Sequence, residues 1–344
     1  MELFGIALTT IALFVGFGFM VGILFGFFGM GGSFLVTPAL LVMGYPARVA
    51  VGSGMAFVFG TAVIATLKHH DLGQVDYKLG GLMIVGTVTG IEVGRMLVFH
   101  LEELGTAEII IGVMYVLLLG SIGAFVTYTA LKDDGGDGGG GGHHDPDAEI
   151  DPDDIPDVAK KIQSYHLPPM ITLRGGVQVS LWMILAVAFV TGLLSGFLGV
   201  GGGFIRMPAM FYLIGVPVPV AVGTDLFEIV ISGGAGAFLY AQGGGVDLTI
   251  VGPLLAGSAL GARIGSAATA IVDESGIKIY FGLMLLGGAV AVAVGELANV
   301  LELEVLNTVS FVMIMGSALL VSGAIIYSTI TTLRAEGAEA PSAG

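Results

Sequence analysis

Glu92, Arg95, Arg206, Asp225, Glu228 and Arg263 are charged side chains deep inside apolar stretches. A charge is expensive in hydrocarbon, so such residues face a protein interior or a polar cavity and mark ion or substrate paths. Arg206 begins a short apolar segment and is the best candidate to hold an anion. Asp225 and Glu228 follow Val-Gly-Thr224 one helical turn apart. They could carry protons or bind a coupling cation; their other roles would be to pair with Arg206 or to face water at a span end. Glu92 and Arg263 are 171 residues apart, at matched positions of an internal repeat (below), and are expected to neutralise each other across a pseudo-twofold.

Two glycine clusters interrupt apolar runs, Gly29-Met-Gly31-Gly32-Ser33 and Gly199-Val-Gly201-Gly202-Gly203. A backbone that unwinds inside a membrane exposes N–H and C=O groups, tolerated only when buried in protein or facing a polar cavity. Each cluster precedes a short helix whose N-terminus offers free N–H donors and partial positive charge, a natural anion site. Together they would line a central pocket for a small anion; the plainer reading is a tight packing turn. No strand precedes them and no lysine follows at phosphate-loop spacing. Ser53 and Thr224 are matched hydroxyls that could bond a substrate oxyanion, or their own helices. The series Gly86/Gly90/Gly94 and Gly257/Gly261/Gly265 read as small-residue packing faces that bring the third span of each half against the other.

These residues are positioned by a chain that is 55% hydrophobic and 11% charged, with a mean hydropathy of +0.96. A soluble domain carries roughly 25% charged residues, so lipid must be much of the solvent. The 344 residues include 58 glycines. A span needs ~20 apolar residues. Candidates run over 3–28, 49–67, 79–99, 107–131, 177–198, 218–240, 248–272, 276–294 and 306–332, an all-α integral membrane protein of about nine spans. Stretches 34–43 and 204–214 are too short to cross alone and read as re-entrant segments or half-helices. Residues 1–131 form a first membrane unit, 132–176 an acidic Gly/Asp/Pro-rich disordered linker, 177–333 a second unit with a final span, and 334–344 a polar tail. Lysines and arginines place the linker and the N-terminus together in the cytoplasm, opposite Glu102, Glu103, Asp273 and Glu274. Trp182 reads as an interface anchor.

The net charge of −15 excludes a nucleic-acid partner. It suggests a high-salt source such as a halophilic archaeon, or simply an acidic linker. With no cysteine, thiol chemistry is excluded. No cofactor or metal is implied: His143 and His144 fall in the linker, and His69-His70-Asp71 reads as a span-end cap.

The strongest sequence feature is a self-match. Gly22-Ile-Leu-Phe-Gly-Phe-Phe-Gly-Met-Gly-Gly-Ser-Phe-Leu-Val-Thr-Pro-Ala39 matches residues 192–209 at ten of eighteen positions. After one inserted residue, 44–53 match 215–224, Gly73-Gln-Val-Asp76 matches Gly244-Gly-Val-Asp247, and the third-span glycines coincide. Homologous halves, each broken at the same place, are the pattern of a transporter core. Parallel and inverted halves both remain open at this level.

The twin motif over 28–38 and 198–208, each followed by Ala-Val-Gly-Ser/Thr, resembles the sulfite exporter TauE/SafE family. Similarity covers roughly 22–131 and 192–294. The resemblance implies a multi-pass plasma-membrane permease, not an enzyme, for a small anion such as sulfite, a sulfonate or another organosulfur compound. Alternating access between the halves, with proton or cation coupling and self-association, would fit. A membrane-embedded enzyme and a non-transporting subunit are the rival readings.

Overall fold

The computed structural model describes residues 2–3, 6–28, 32–71, 75–133, 167–173, 178–210, 214, 216, 218–268, 271–272 and 274–339. Among them eleven helices carry the fold: α1 (Leu8–Phe28), α2 (Val36–Val42), α3 (Ala47–Asp71), α4 (Tyr77–Glu103), α5 (Ala107–Asp133), α6 (Leu181–Leu198), α7 (Gly203–Ala209), α8 (Val218–Gln242), α9 (Leu248–Ala268), α10 (Glu274–Leu301) and α11 (Glu304–Glu339). All except α2 and α7 are long and apolar enough to cross a membrane. The chain is an all-α multi-pass membrane protein, as its hydropathy requires: in hydrocarbon each span must satisfy its own backbone groups. A tight turn over Gly32–Leu35 leads into α2.

Two details depart from the sequence reading. The first span starts at Leu8, after short paired strands Glu2–Leu3 and Ile6–Ala7. Met170–Thr172, inside the expected linker, pairs antiparallel with Gln178–Ser180, and Lys78 Nζ donates to the Thr172 carbonyl at 2.7 Å. The expected linker residues 134–166 lie outside the described residues.

Glycine sets the helix pairing. A Cβ at Gly90 of α4 would stand 2.3 Å from the Phe189 carbonyl of α6, and one at Gly261 of α9 would stand 2.1 Å from the Phe19 carbonyl of α1. At these points backbone lies directly on backbone, which only small residues permit. The third spans α4 and α9 therefore do not meet each other as expected. Each packs on a first span of the other half, because α6 and α1 present their own glycines (Gly192 and Gly196; Gly18, Gly22 and Gly26) to complete the close approach.

The register of these approaches fixes helix direction. Gly18, Gly22 and Gly26 meet Leu254, Ser258 and Ala262 in rising order, so α1 and α9 run the same way. Ser53 meets Asp247 and Gly60 meets Leu255, so α3 also runs with α9. Thus α1 and α3 are co-directional, and the stretch between them must recross the membrane. Tyr45, beyond α2, indeed lies beside Phe14 near the start of α1, with ring centroids 6.5 Å apart. The short segment is a returning pass and not a re-entrant hairpin. The same holds in the second half: α4 runs with α6 (Gly86 at Ala188, Gly94 at Phe197) and with α8 (Gly80 at Phe227, Ile91 at Gly236). Across the halves α3 opposes α8 (Gly52 at Tyr240, Gly236 at Met55), and α5 opposes α10 (Gly112 at Glu296, Gly282 at Thr127).

With five passes between them, the start of α1 and the end of α5 lie on opposite faces. This corrects the expectation that the N-terminus and the linker share a side. It also puts the α9–α10 junction on the linker face, away from Glu102 and Glu103. The cysteine-free chain makes the arrangement testable. Leu167→Cys and Leu303→Cys, both at exposed positions, are expected to react with an impermeant maleimide from opposite sides of oriented vesicles. Labelling of both from one side would overturn the assignment.

Candidate functional site

The second glycine cluster ends α6 sharply. Gly199, Gly201 and Gly202 have φ of +73°, +69° and +77°, a left-handed backbone that side chains with a Cβ rarely adopt. The terminal carbonyls of α6 then need partners. Tyr115 of α5 donates its hydroxyl to the Leu198 carbonyl, and Tyr240 of α8 donates to the Gly196 carbonyl at 2.6 Å. Sequence reasoning assigned neither tyrosine this role. The available signal was a phenol deep in an apolar span, but its target exists only once the break is folded.

Beyond the break the chain turns back through α7 and buries Arg206 completely. Its Nη1 donates to Asp225 Oδ1 at 3.1 Å and to Glu228 Oε2 of α8. Nε reaches Thr191 Oγ1 of α6 at 3.3 Å, and Nη2 points to the Gly201 carbonyl at 3.4 Å. Ser232 donates to Glu228 Oε2 at 3.1 Å. Asp225 and Glu228 are likewise buried, and Glu228 Oε1 has no hydrogen-bond partner among the described residues. Glu228 is ten residues into α8, about 15 Å along its axis, near the middle of this span. One guanidinium thus faces two carboxylates in a dry interior. Of the alternatives left open for Asp225 and Glu228, pairing with Arg206 is what the structure contains.

The other candidate residues are dispersed. Gly29 and Gly31 lie outside the described residues; Gly32 opens the turn into α2, and Ser33 follows it. Gly26, near the end of α1, lies level with Ala262, whereas Gly199 abuts Val51 at the head of α3 and Gly201 abuts Val58. Thr37 Oγ1 of α2 lies against both Gly54 and Gly199. Phe28 and Phe34, the described aromatic residues on either side of the first cluster, pack on Phe281, with Phe28 and Phe281 centroids 4.1 Å apart. Gly203 begins α7, but α7 has only seven residues, so its dipole is small and Arg206 carries the positive charge at this break.

Ser53 and Thr224 sit toward opposite faces and are engaged. Ser53 Oγ accepts the Asp247 N–H at 3.2 Å, and Thr224 Oγ1 accepts the Asp76 N–H at 2.9 Å. Each hydroxyl ties the head of one helix to the turn that opens a third span of the other half. The expected Glu92–Arg263 pair does not form. Glu92 is bound by Arg95 on the same helix, at 2.6 and 2.8 Å, while Arg263 is exposed on α9. Side chains three apart on a helix are natural neighbours, and opposed helix directions put residues 92 and 263 at different depths. The side chains of His69, His70 and Asp71, and residues 143–144, lie outside the described ones.

Comparison with known proteins decides the family. The model of the family "Sulfite exporter TauE/SafE" matches residues 14–294. The chain belongs to this family. Among relatives of the TauE/SafE chain, the "Probable membrane transporter protein YunE" of Bacillus subtilis is 23% identical over 285 residues, covering 80% of this chain and 95% of that protein. A "Probable membrane transporter protein" of Xylella fastidiosa is 27% identical over 289 residues, covering 83% and 95%. The "Sulfite exporter TauE/SafE family protein 6" of Arabidopsis thaliana is 25% identical over 123 residues, covering 34% of this chain and 29% of that one. No solved structure matches. The relatives matched along most of their length are bacterial, and nothing in them supports a halophilic archaeal source.

Proposed function

We propose that this TauE/SafE chain carries a small anion, a sulfite, sulfonate or related sulfur oxyanion, across the membrane by alternating access between two inverted repeats. The observation that carries this reading is Arg206: a fully buried guanidinium at a helix break, mid-bilayer, in a chain of a family of membrane transporters. Guanidinium is planar, permanently charged and suited to oxyanions. The repeat reading is supported by the self-match, by the exchanged pairings α1–α9 and α6–α4, and by the opposed directions of matched helices. Interrupted helices in inverted halves are the pattern expected of secondary transporters.

Orientation follows from charge. Lys68, Lys78, Lys132, Lys278 and Arg334 stand at helix ends on the linker face. The other face holds Arg48, paired with Glu102 at 3.5 Å. Lysine and arginine favour the cytoplasm, so the linker lies inside and the start of α1 outside.

The test is flux of labelled sulfite and of a small alkanesulfonate into proteoliposomes. Saturable uptake is expected, lowered roughly tenfold or more in Arg206→Lys, which keeps the charge but loses the two-pronged geometry. Undiminished flux in that variant would remove Arg206 from the path. Recovery of a chemically altered product would favour the enzyme reading.

A further inference from the structure

Every ion in the Arg206 cluster is withdrawn from water: Arg206 and Glu228 are 0% exposed and Asp225 is 2% exposed. One positive and two negative charges leave a net buried charge of −1, and an uncompensated charge is costly in this medium. The two carboxylates are not equivalent. Glu228 Oε2 takes both Arg206 and Ser232, whereas its Oε1 is buried without a hydrogen-bond partner among the described residues. Among the described residues, the facing side chains supply no further charge. They are Thr191 and Ser195 of α6, and Met55 and Val58 of α3, which abut Ser195 and Gly201. On α4, Asp76 lies beside Thr224 but is occupied in capping the Lys78 and Leu79 N–H groups. The matched positions of the first half, Val36, Gly54 and Phe57, carry no charge.

We propose that Glu228 is the proton-binding site of the transport cycle, and that Glu228 and the transported anion compete for Arg206. With Glu228 ionised, Nη1 is held by both carboxylates and the net negative cluster repels an anion. A proton on Glu228 makes the cluster neutral and replaces the ion pair with a weaker hydrogen bond. Nη1 can then bind an oxyanion. With proton and monoanion both aboard, the net charge returns to −1, the value of the empty cluster. Loaded and empty states thus carry the same buried charge, and one proton moves with one monoanion in the same direction. A metal cation fits less well, because it would have to sit beside the guanidinium that already occupies the carboxylates.

The anion part rests on the transport reading; the proton part does not, and two measurements separate them. Infrared difference spectra of the full chain in lipid, between mildly acidic and mildly alkaline buffer, are expected to show a protonated-carboxyl C=O band. Part of the band should be missing from Glu228→Gln and present in Glu296→Gln, and the double variant should lose both contributions. No band in the parent chain, or an unchanged band in Glu228→Gln, would overturn the proton site whatever the cargo. Flux is read with methanesulfonate, whose charge does not change with pH. A one-unit inward proton gradient should sustain about tenfold accumulation. Glu228→Gln should still exchange methanesulfonate but lose the accumulation and the accompanying lumenal acidification. Sodium-driven accumulation, or proton movement retained in Glu228→Gln, would overturn the coupling. If neither sulfite nor methanesulfonate moves in the parent chain, the anion reading and the competition fall, and the infrared band alone still decides the proton site.

Discussion

Arg206→Ala is expected to destabilise the protein by about 3–5 kcal/mol, the usual cost of removing one partner from a buried ion pair. Asp225 and Glu228 would stay in a dry interior with their shared cation gone, and Thr191 Oγ1 and the Gly201 carbonyl would each lose a contact. The loss is electrostatic, so it should be recoverable without the arginine. The triple variant Arg206→Met, Asp225→Asn, Glu228→Gln leaves no charge to solvate and fills a similar volume. It should regain most of the thermal stability in detergent while remaining inactive in anion flux. If the triple variant melts no higher than Arg206→Ala, charge compensation is not what Arg206 supplies to the fold.

Gly261→Leu is the second large effect. A Cβ alone at Gly261 would lie 2.1 Å from the Phe19 carbonyl and 2.9 Å from the Ile23 backbone nitrogen. No side-chain rotation relieves a clash with backbone, so α1 and α9 must separate. Overpacking typically costs ~1–3 kcal/mol and here removes a whole helix–helix contact. Loss of monodisperse protein on size exclusion is expected. Gly252→Leu, on the same helix with open space around its Cβ position, should leave the elution profile unchanged. Equal behaviour of the two variants would mean that the α1–α9 approach is not essential.

The spans were legible because each helix in lipid closes its own hydrogen bonds, so hydropathy over ~20 residues is nearly sufficient. Arg206 was legible for a related reason: an arginine in an apolar run needs a partner or a purpose. Pairing with Asp225 and Glu228 was one of the roles open to those carboxylates. The partner of Glu92 was misread. Repeat offset put Glu92 opposite Arg263, but the offset says only that two residues occupy matched places, not that those places face each other. The glycine faces failed similarly. Small-residue spacing marks a contact surface without naming the helix that fills it.

Composition and hydropathy by themselves determined a multi-pass helical membrane protein, with rare charges worth explaining. They could not determine direction. A stretch of about a dozen residues is too short to be recognised as a crossing, yet the α1–α9 and α3–α9 registers require that the chain recross there. Tertiary packing alone therefore decided that matched helices run oppositely, that α1 and α6 end toward different faces, and that Ser53 and Thr224 serve as ties between halves. It also decided that Arg206, Asp225 and Glu228 meet beside the second break. The physical reason is common to all of these. Hydrophobicity acts on each segment separately, whereas backbone approach at glycine and ion pairing in a dry interior depend on which segments meet.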